Sequence, residues 1–514
     1  MSVLLHDYLH DAARRLPEKI ALVCQGKRVT FAELEQQSNA LAHGLIDRGV
    51  RRGDRVQLYL ENSVEAVIAW WAVHKANAVP IATNPLTRAQ KLWYYLNDAR
   101  ASVLIADAQL APHWSDVAAR APGLKAIVVV GAIDAEKTKG LPVVDWAQLL
   151  RAGRSDAPPK RTNIDLDLAA IIYTSGSTGE PKGAMLTHAN MLAASSALTE
   201  VLGMREDDVV LSALPLAFNY GLYQQILCFR VGARLVLEKS FAFPVKILER
   251  IAEEKATGFP GVPTMFSLLA ELKGVTSDLS SIRFVTNTAA ALTGRHIETL
   301  QRIFPSARVF SMYGLTECKR CSCLPPEDLR RKPDSIGLPM PNCELWLLGE
   351  DGARITAPNV PGELVMRGAT VMRGYWEKPA ATADRLRPGP LAGEVVFHTG
   401  DLCRFDEDGY LYFVSRMDDV IKSRGEKVSP REVETALMNV PGVKEAAVIG
   451  VADEMLGQAI KAFVVLEEGV TFSEKALQKE VQQRVETFLV PKQIVFVPEL
   501  PKTDTGKIKK TDLR

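Results

Sequence analysis

An excess of charge of one sign is missing: 62 Lys and Arg stand against 61 Asp and Glu, a net +1. No global field therefore draws in nucleic acid or an anionic membrane surface. Long apolar runs are missing too. The most hydrophobic stretch, Ala66 to Val73, is cut by His74 and Lys75, well short of the ~20 residues that a membrane span needs. Met1 to Leu22 carries His6, Asp7, His10, Asp11, Arg14 and Arg15 inside its apolar pattern, so the apolar core of a signal peptide is absent and a cytoplasmic location is expected. Cysteine is sparse and odd in number, seven in 514 residues, which fits reduced thiols rather than a disulfide framework. Cys318, Cys321 and Cys323 lie close together, but no second Cys/His pair at zinc-site spacing follows. Internal repeats and low-complexity tracts are also lacking.

What is there is an ordinary globular composition, 47% apolar and 24% charged, in a chain long enough for several domains. Short β-branched runs alternate with amphipathic segments, the pattern of α/β layers. Thr30 to Arg48 reads as a helix, with Thr30 and Glu33 as a capping box and Gly49 as the stop. Strands are expected at Arg55 to Leu60, Ser102 to Ala106, Ala126 to Val130, Ala169 to Thr174, Arg234 to Leu237, Ile282 to Thr286 and Arg308 to Met312. Helices are expected at Val245 to Lys255 and Arg295 to Ile303.

From Ile336 to Val414 turns at Glu350-Asp351-Gly352, Pro361-Gly362 and Asp406-Glu407-Asp408-Gly409 mark hairpins and a β-rich subdomain. After Ser415-Arg416-Met417-Asp418-Asp419 the pattern becomes a small α+β one: helix near Pro430 to Met438, strands near Ala446 to Val451 and Ala459 to Leu466, helix near Ser473 to Phe488. The expected fold class is α/β. Residues 1–417 are expected to form a large N-terminal body of two α/β layers plus the β-rich subdomain at about 336–414, and residues 418–514 a small lid-like α+β domain.

Between two apolar runs lies Tyr173-Thr174-Ser175-Gly176-Ser177-Thr178-Gly179-Glu180-Pro181-Lys182-Gly183. Its glycines let backbone N–H groups turn inward, its hydroxyls add donors, and Lys182 adds a positive charge, so the composition is that of a polyphosphate cradle. The spacing is neither that of the Walker loop nor that of the dinucleotide fingerprint.

This loop resembles the signature loop of the adenylate-forming superfamily, which includes acyl- and aryl-CoA ligases, luciferases and the adenylation domains of peptide synthetases. Four further segments resemble that family's motifs in order: Tyr313-Gly314-Leu315-Thr316-Glu317, Thr399-Gly400-Asp401, Ser415 to Gly425, and Pro501-Lys502-Thr503-Asp504-Thr505-Gly506-Lys507-Ile508. Singly, a Tyr in an apolar run reads as core, an Asp after Gly as a turn, and a Glu after Thr as solvated; together they place the whole chain in that family.

The resemblance implies that a carboxylic acid and ATP give an acyl-adenylate and pyrophosphate, after which a thiol displaces AMP. Charge develops on oxygens in both steps, so the catalyst should be cations and donors placed at those oxygens. By resemblance, Thr174, Ser175, Gly176, Ser177, Thr178, Gly179 and Lys182 hold the β- and γ-phosphates. Glu317 offers a carboxylate to Mg²⁺, Thr316 reaches the α-phosphate, and Tyr313 with Gly314 faces adenine. Asp401 accepts from the ribose hydroxyls with Arg416 nearby. Lys507 bridges the substrate carboxylate and the α-phosphate. Asp418 is the hinge about which the lid swings between the two steps.

Arg424-Gly425-Glu426-Lys427-Val428-Ser429-Pro430 resembles the form seen in CoA ligases, so coenzyme A is the expected acceptor, with Lys422, Arg424 and Lys427 available to its phosphates. The chain ends just after the lysine motif, so no fused carrier domain is expected; an acyl carrier protein acting in trans stays open as acceptor, as does a homodimeric state. For the acid, Phe218-Asn219-Tyr220-Gly221 falls in the family's substrate-gate loop, with Phe218 where many CoA ligases have His. Asn219 resembles the residue that faces an ortho substituent in aryl-acid-activating members; a buried Asn needs a polar partner, which neighbouring backbone could equally supply. Thr264, Thr288, Ala289 and Lys319 complete the expected pocket, where Thr288 and Ala291 depart from the usual Gly-Ala-Pro form. An aromatic acid, benzoate or an ortho-amino- or ortho-hydroxybenzoate, is expected; small residues such as Ala194 and Ala197 leave a medium- or long-chain fatty acid as the alternative. His43 and Asp47, four apart on the helix expected at Thr30 to Arg48, read as a surface pair rather than an acyltransferase motif.

Overall fold

The computed structural model describes residues 3–513 apart from 135, 175–180, 273, 275, 289–291, 424–425, 454–456, 486 and 504–507. The expected mixed α/β architecture is present, in two compact units.

The first unit comprises residues 1–333, 339–344 and 367–386. Its large sheet runs in the order Leu338–Pro339, Ser322–Leu324, Arg308–Tyr313, Phe284–Asn287, Gly258–Gly261, Val209–Ser212, Arg234–Leu237, Ile20–Cys24 and Lys27–Thr30. The pairings from Arg308–Tyr313 across to Ile20–Cys24 are parallel, and those of Arg308–Tyr313 with Ser322–Leu324 and of Ile20–Cys24 with Lys27–Thr30 are antiparallel. A second, all-parallel sheet runs Val79–Ala82, Arg55–Tyr59, Ala101–Asp107, Ala126–Val130, Val144–Asp145. Parallel strands need crossovers, and the intervening helices supply them.

Local rules place these helices. Phe31–Asp47 starts on Thr30, whose side chain accepts from the Glu33 N–H while Glu33 reaches back to the Thr30 N–H, so two orphan donors are satisfied reciprocally. Val64–Lys75 is buried at every residue but Glu65, including Trp70 and Trp71; a helix so largely apolar belongs inside a core. Each large apolar side chain so buried stabilises by roughly 1.5–3 kcal/mol before the ordering entropy is counted. No helix among the described residues is long and apolar enough to cross a membrane.

The second unit comprises residues 334–338, 345–366 and 387–514. One of its sheets is antiparallel and centres on Val395–Phe405, which pairs with Gly362–Gly368 on one side and Leu411–Arg416 on the other. The other pairs Val443–Asp453 with Gly457–Leu466 in a long antiparallel hairpin and adds Gln493–Phe496 parallel to the latter. Pro430–Met438 covers this sheet, with Val433, Ala436 and Leu437 in its core. The last helix spans Glu474–Gln482 on an N-cap at Ser473, shorter than the expected run to Phe488. A separate 3₁₀ turn, Thr487–Leu489, follows.

Candidate active site

Val209–Ser212, Gly258–Gly261, Phe284–Asn287 and Arg308–Tyr313 are parallel neighbours, so the loops at their carboxyl ends emerge on one edge of the sheet. That edge is where open α/β sheets bind ligands. The residues expected in the acyl and nucleotide pockets sit on those four loops: Phe218 to Gly221 after the first, Thr264 after the second, Thr288 after the third, Gly314 to Lys319 after the fourth. Ala289 lies outside the described residues.

The last of these loops is tight. Tyr313 accepts from the Cys321 N–H at 2.9 Å, and a Cβ on Gly314 would stand 1.9 Å from the Lys319 carbonyl oxygen. Only glycine allows this approach. The turn brings Lys319 to φ +53° and sends its side chain inward, so that it is 1% exposed. Its Nζ donates to Asn219 twice, to the backbone oxygen at 2.9 Å and to Oδ1 at 3.2 Å, and stands 3.4 Å from the Tyr223 ring centroid. Burial, and then the neighbouring Arg320, push the Lys319 pKa well down. The Asn219 side-chain oxygen thus has a partner, the other expected pocket residue Lys319. Cys318 and Cys321, also buried, place their sulfurs 3.1 Å apart as thiols.

Asn219 begins the helix Asn219–Val231, whose N-cap Phe218 offers no side-chain acceptor. A Cβ at Gly221 would lie 2.2 Å from the Pro215 carbonyl oxygen, so the loop closes on this helix only with glycine there. Tyr220 turns inward and its hydroxyl meets the Thr286 carbonyl at 2.8 Å and hydroxyl at 2.6 Å. Burial pushes the Tyr220 pKa up to about 12, against the lowering effect of Thr286.

The phosphate-loop candidate is held at its base by two strands. Leu168–Thr174 pairs antiparallel with Lys182–Thr187, Thr174 opposite Lys182 and Tyr173 opposite Gly183; Ser175, Gly176, Ser177, Thr178 and Gly179 lie outside the described residues. The Tyr173 hydroxyl donates to Asp98 at 2.5 Å. Lys182 Nζ stands 5.6 Å from the centroid of the Tyr375 ring, and the Tyr375 hydroxyl donates to Glu317 Oε1 at 2.8 Å. Tyr375 therefore links the lysine of the loop to the carboxylate of the Tyr-Gly-x-Thr-Glu motif. Sequence reasoning missed it. Its one signal is Gly374-Tyr375-Trp376, a short strand that pairs with Ala184 and Met185 next to Lys182.

In the second unit, Asp401 is 1% exposed, stands opposite Arg416 across the strand pair, and accepts from its Nη1 at 2.5 Å. Asp418 lies in an exposed 3₁₀ turn, Met417–Asp419, between two strands. Arg424 and Gly425 lie outside the described residues; Glu426 and Lys427 belong to the strand Glu426–Val428, with their side chains outside the description. Lys507 is also outside, but its loop is closed at the base by a bridge between Lys502 and Ile508 and by the Lys509 N–H donating to Pro501 O at 2.8 Å.

Residues 9–376 match the family model "AMP-binding enzyme" and residues 432–507 match "AMP-binding enzyme C-terminal domain". The chain belongs to the AMP-binding enzyme family. It is 32% identical to a long-chain-fatty-acid–CoA ligase of Bacillus subtilis (strain 168), over 98% of this chain and 93% of that one. It is 31% identical to 4-coumarate–CoA ligase 2 of Solanum tuberosum, over 99% and 93%. The solved structure of an anthranilate CoA ligase in complex with anthranoyl-AMP superposes with a TM-score of 0.90 at 28% identity, covering 100% of this chain and 97% of that one. ATP, Mg²⁺ and coenzyme A are the cofactors and co-substrates of this class of ligase.

Proposed function

We propose that this enzyme activates an aromatic carboxylic acid, a benzoate or an ortho-amino- or ortho-hydroxybenzoate, as its acyl-adenylate and transfers the acyl group to coenzyme A. The observation that carries the phosphate half of this reading is the Lys182–Tyr375–Glu317 arrangement, which places a cation and a hard carboxylate at the base of the loop. Lys182, with Thr174 to Gly179, would bind the β- and γ-phosphates. Glu317, oriented by Tyr375, would hold Mg²⁺, which when bound neutralises charge on phosphate oxygens. Thr316 would donate to the α-phosphate, Tyr313 and Gly314 would face adenine, and Asp401 with Arg416 would receive the ribose. Phe218 to Gly221, Thr264, Thr288, Ala289 and Lys319 would enclose the acid. Its aromatic character is supported by Phe218 at the N-cap and Tyr220 in the first turn of the helix Asn219–Val231.

Lys507 would sit between the attacking carboxylate and the α-phosphate, where negative charge accumulates in the first step only. In this reading residues 418–514 are a lid hinged at Asp418, and Arg424 to Lys427 meet coenzyme A once Lys507 has withdrawn. The Lys507→Ala enzyme should lose adenylate formation by orders of magnitude yet still convert preformed acyl-adenylate and coenzyme A to thioester. Near-normal adenylation by that variant sinks the assignment. Pyrophosphate release across benzoates, cinnamates and fatty acids, with and without coenzyme A, tests the substrate. A fatty acid is the second reading, favoured by the buried Ala194 and Ala197 on the helix His188–Leu202. Fastest turnover with fatty acids replaces the aromatic reading, and absence of thioester with coenzyme A points to a carrier protein instead.

A further inference from the structure

Three observations meet at the start of the helix Asn219–Val231. Lys319 Nζ holds two oxygens of Asn219 and lies against the Tyr223 ring face, so its N–H groups are directed at acceptors. The carboxamide atom turned toward it must then be the oxygen, so the orientation of the Asn219 amide follows from the chemistry of its partner. Asn219 Nδ2 faces away from Lys319 and makes no hydrogen bond with any described residue. Next to Lys319, Arg320 is 7% exposed, its guanidinium lies 5.0 Å from the Tyr220 ring centroid, and its Nε is buried without a partner. Among the described residues no carboxylate pairs with either cation. Finally, the helix itself starts without a side-chain cap, so its first N–H groups add a positive end.

With both Asn219 oxygens taken by Lys319, the polar groups left without partners at this corner, Asn219 Nδ2 and Arg320 Nε, are donors. We propose that Lys319 is a positioning residue that sets specificity: by holding the oxygens of Asn219 it turns Nδ2 outward and selects acids that carry an acceptor or anionic oxygen beside the reacting carboxylate. The acid class is one with a hydroxyl, keto or second carboxylate group at that position, and an amino group there is rejected. The inference deepens the aromatic reading above and rests on residues 218–221 lining the acyl site.

The discrimination comes from hydrogen-bond sense. An ortho hydroxyl gives its single proton to its own carboxylate and keeps its lone pairs for Asn219 Nδ2. An ortho amino group has its lone pair drawn into the ring and presents N–H groups to a donor. A donor facing a donor leaves both unpaired, which sites built for one partner penalise heavily. This enzyme should thus differ in preference from the anthranilate CoA ligase to which it is similar in fold.

The test uses the full chain with ATP, Mg²⁺ and coenzyme A, and compares kcat/KM for benzoate, 2-hydroxybenzoate, benzene-1,2-dicarboxylate and 2-aminobenzoate. Wild type should favour 2-hydroxybenzoate over 2-aminobenzoate by ~10-fold or more, the scale of one hydrogen bond kept against one lost. In Lys319→Met the amide is released, and the ratio of those two acids within the same variant should fall to ~2-fold or less, mainly through KM. Lys319→Arg, which can still donate to both oxygens, should restore much of it. A wild-type preference for 2-aminobenzoate, or an unchanged ratio in Lys319→Met, overturns the inference. The wild-type ratio decides alone should the methionine variant not fold. Turnover of benzoate without discrimination overturns this inference and leaves the aromatic reading standing; turnover of fatty acids only removes both.

Discussion

Glu317 and Tyr375 stand 58 positions apart in the chain and 2.8 Å apart in space. Removing the tyrosine hydroxyl leaves the carboxylate without the donor that orients it, so Tyr375→Phe should lower kcat/KM for ATP by ~10-fold and raise the Mg²⁺ concentration needed for half-maximal rate. An unchanged Mg²⁺ dependence would count against a metal-holding Glu317. Gly314 is a steric matter. A methyl group there meets the Lys319 carbonyl at 1.9 Å, so Gly314→Ala should cost more than ~2 kcal/mol in chemical unfolding or survive only with a rebuilt acyl site. At this scale what a sequence makes legible is local chemistry. The hydroxyl and lysine content of the loop at 174–182 and the Glu of the Tyr-Gly-x-Thr-Glu segment are visible in order. Tyr375 was not visible, because its contact with Glu317 forms only between segments distant in the chain; Lys319 is legible as a pocket residue by resemblance, whereas its burial against Asn219 depends on the turn at φ +53°.

Elements are more legible than contacts, since caps and periodicity are short-range. The helix expected at Thr30 to Arg48 forms at Phe31–Asp47 on the expected capping box, and Pro430–Met438 has the expected limits. The helix His188–Leu202 carries a feature that periodicity cannot reveal. Its first residue, His188, is fully buried, and its Nδ1 accepts from the Leu5 N–H at 3.1 Å. Burial, then His74 and Arg161, hold its pKa well below 6.5. The folded state thus resists a proton that the unfolded state takes up below ~6.5. Stability is fully present above that pH and is lost as pH falls. The melting temperature should drop between pH 7 and pH 5, and less steeply in His188→Gln, whose amide oxygen can accept the same N–H. Equal slopes in the two proteins would remove His188 as a cause.

Across the whole molecule, the family motifs fall in both compact units: the loop at 174–182 and Glu317 in the first, Asp401 and Arg416 in the second. Their order was legible from one end of the chain to the other, whereas the partition of residues 334–386 between the units was not. That partition depends on which strands pair, and neither turns nor hydropathy encode it. The proposed hinge belongs to this scale. Asp418→Pro fixes φ near −65° and should spare pyrophosphate release while reducing thioester formation by ~100-fold or more; parallel loss of both steps would show that residue 418 is not a pivot.

The antiparallel pairing of Thr174 with Lys182 has one more consequence. Because the two strands already hold the ends of the phosphate loop together, most of the loop-closure entropy is met by the sheet, and doubling the number of enclosed residues adds only ~0.6 kcal/mol. A Gly-Ser insertion between Gly176 and Ser177 should accordingly leave the melting temperature within about a degree or two of the parent while abolishing turnover, separating the foldability of this segment from its grip on the nucleotide.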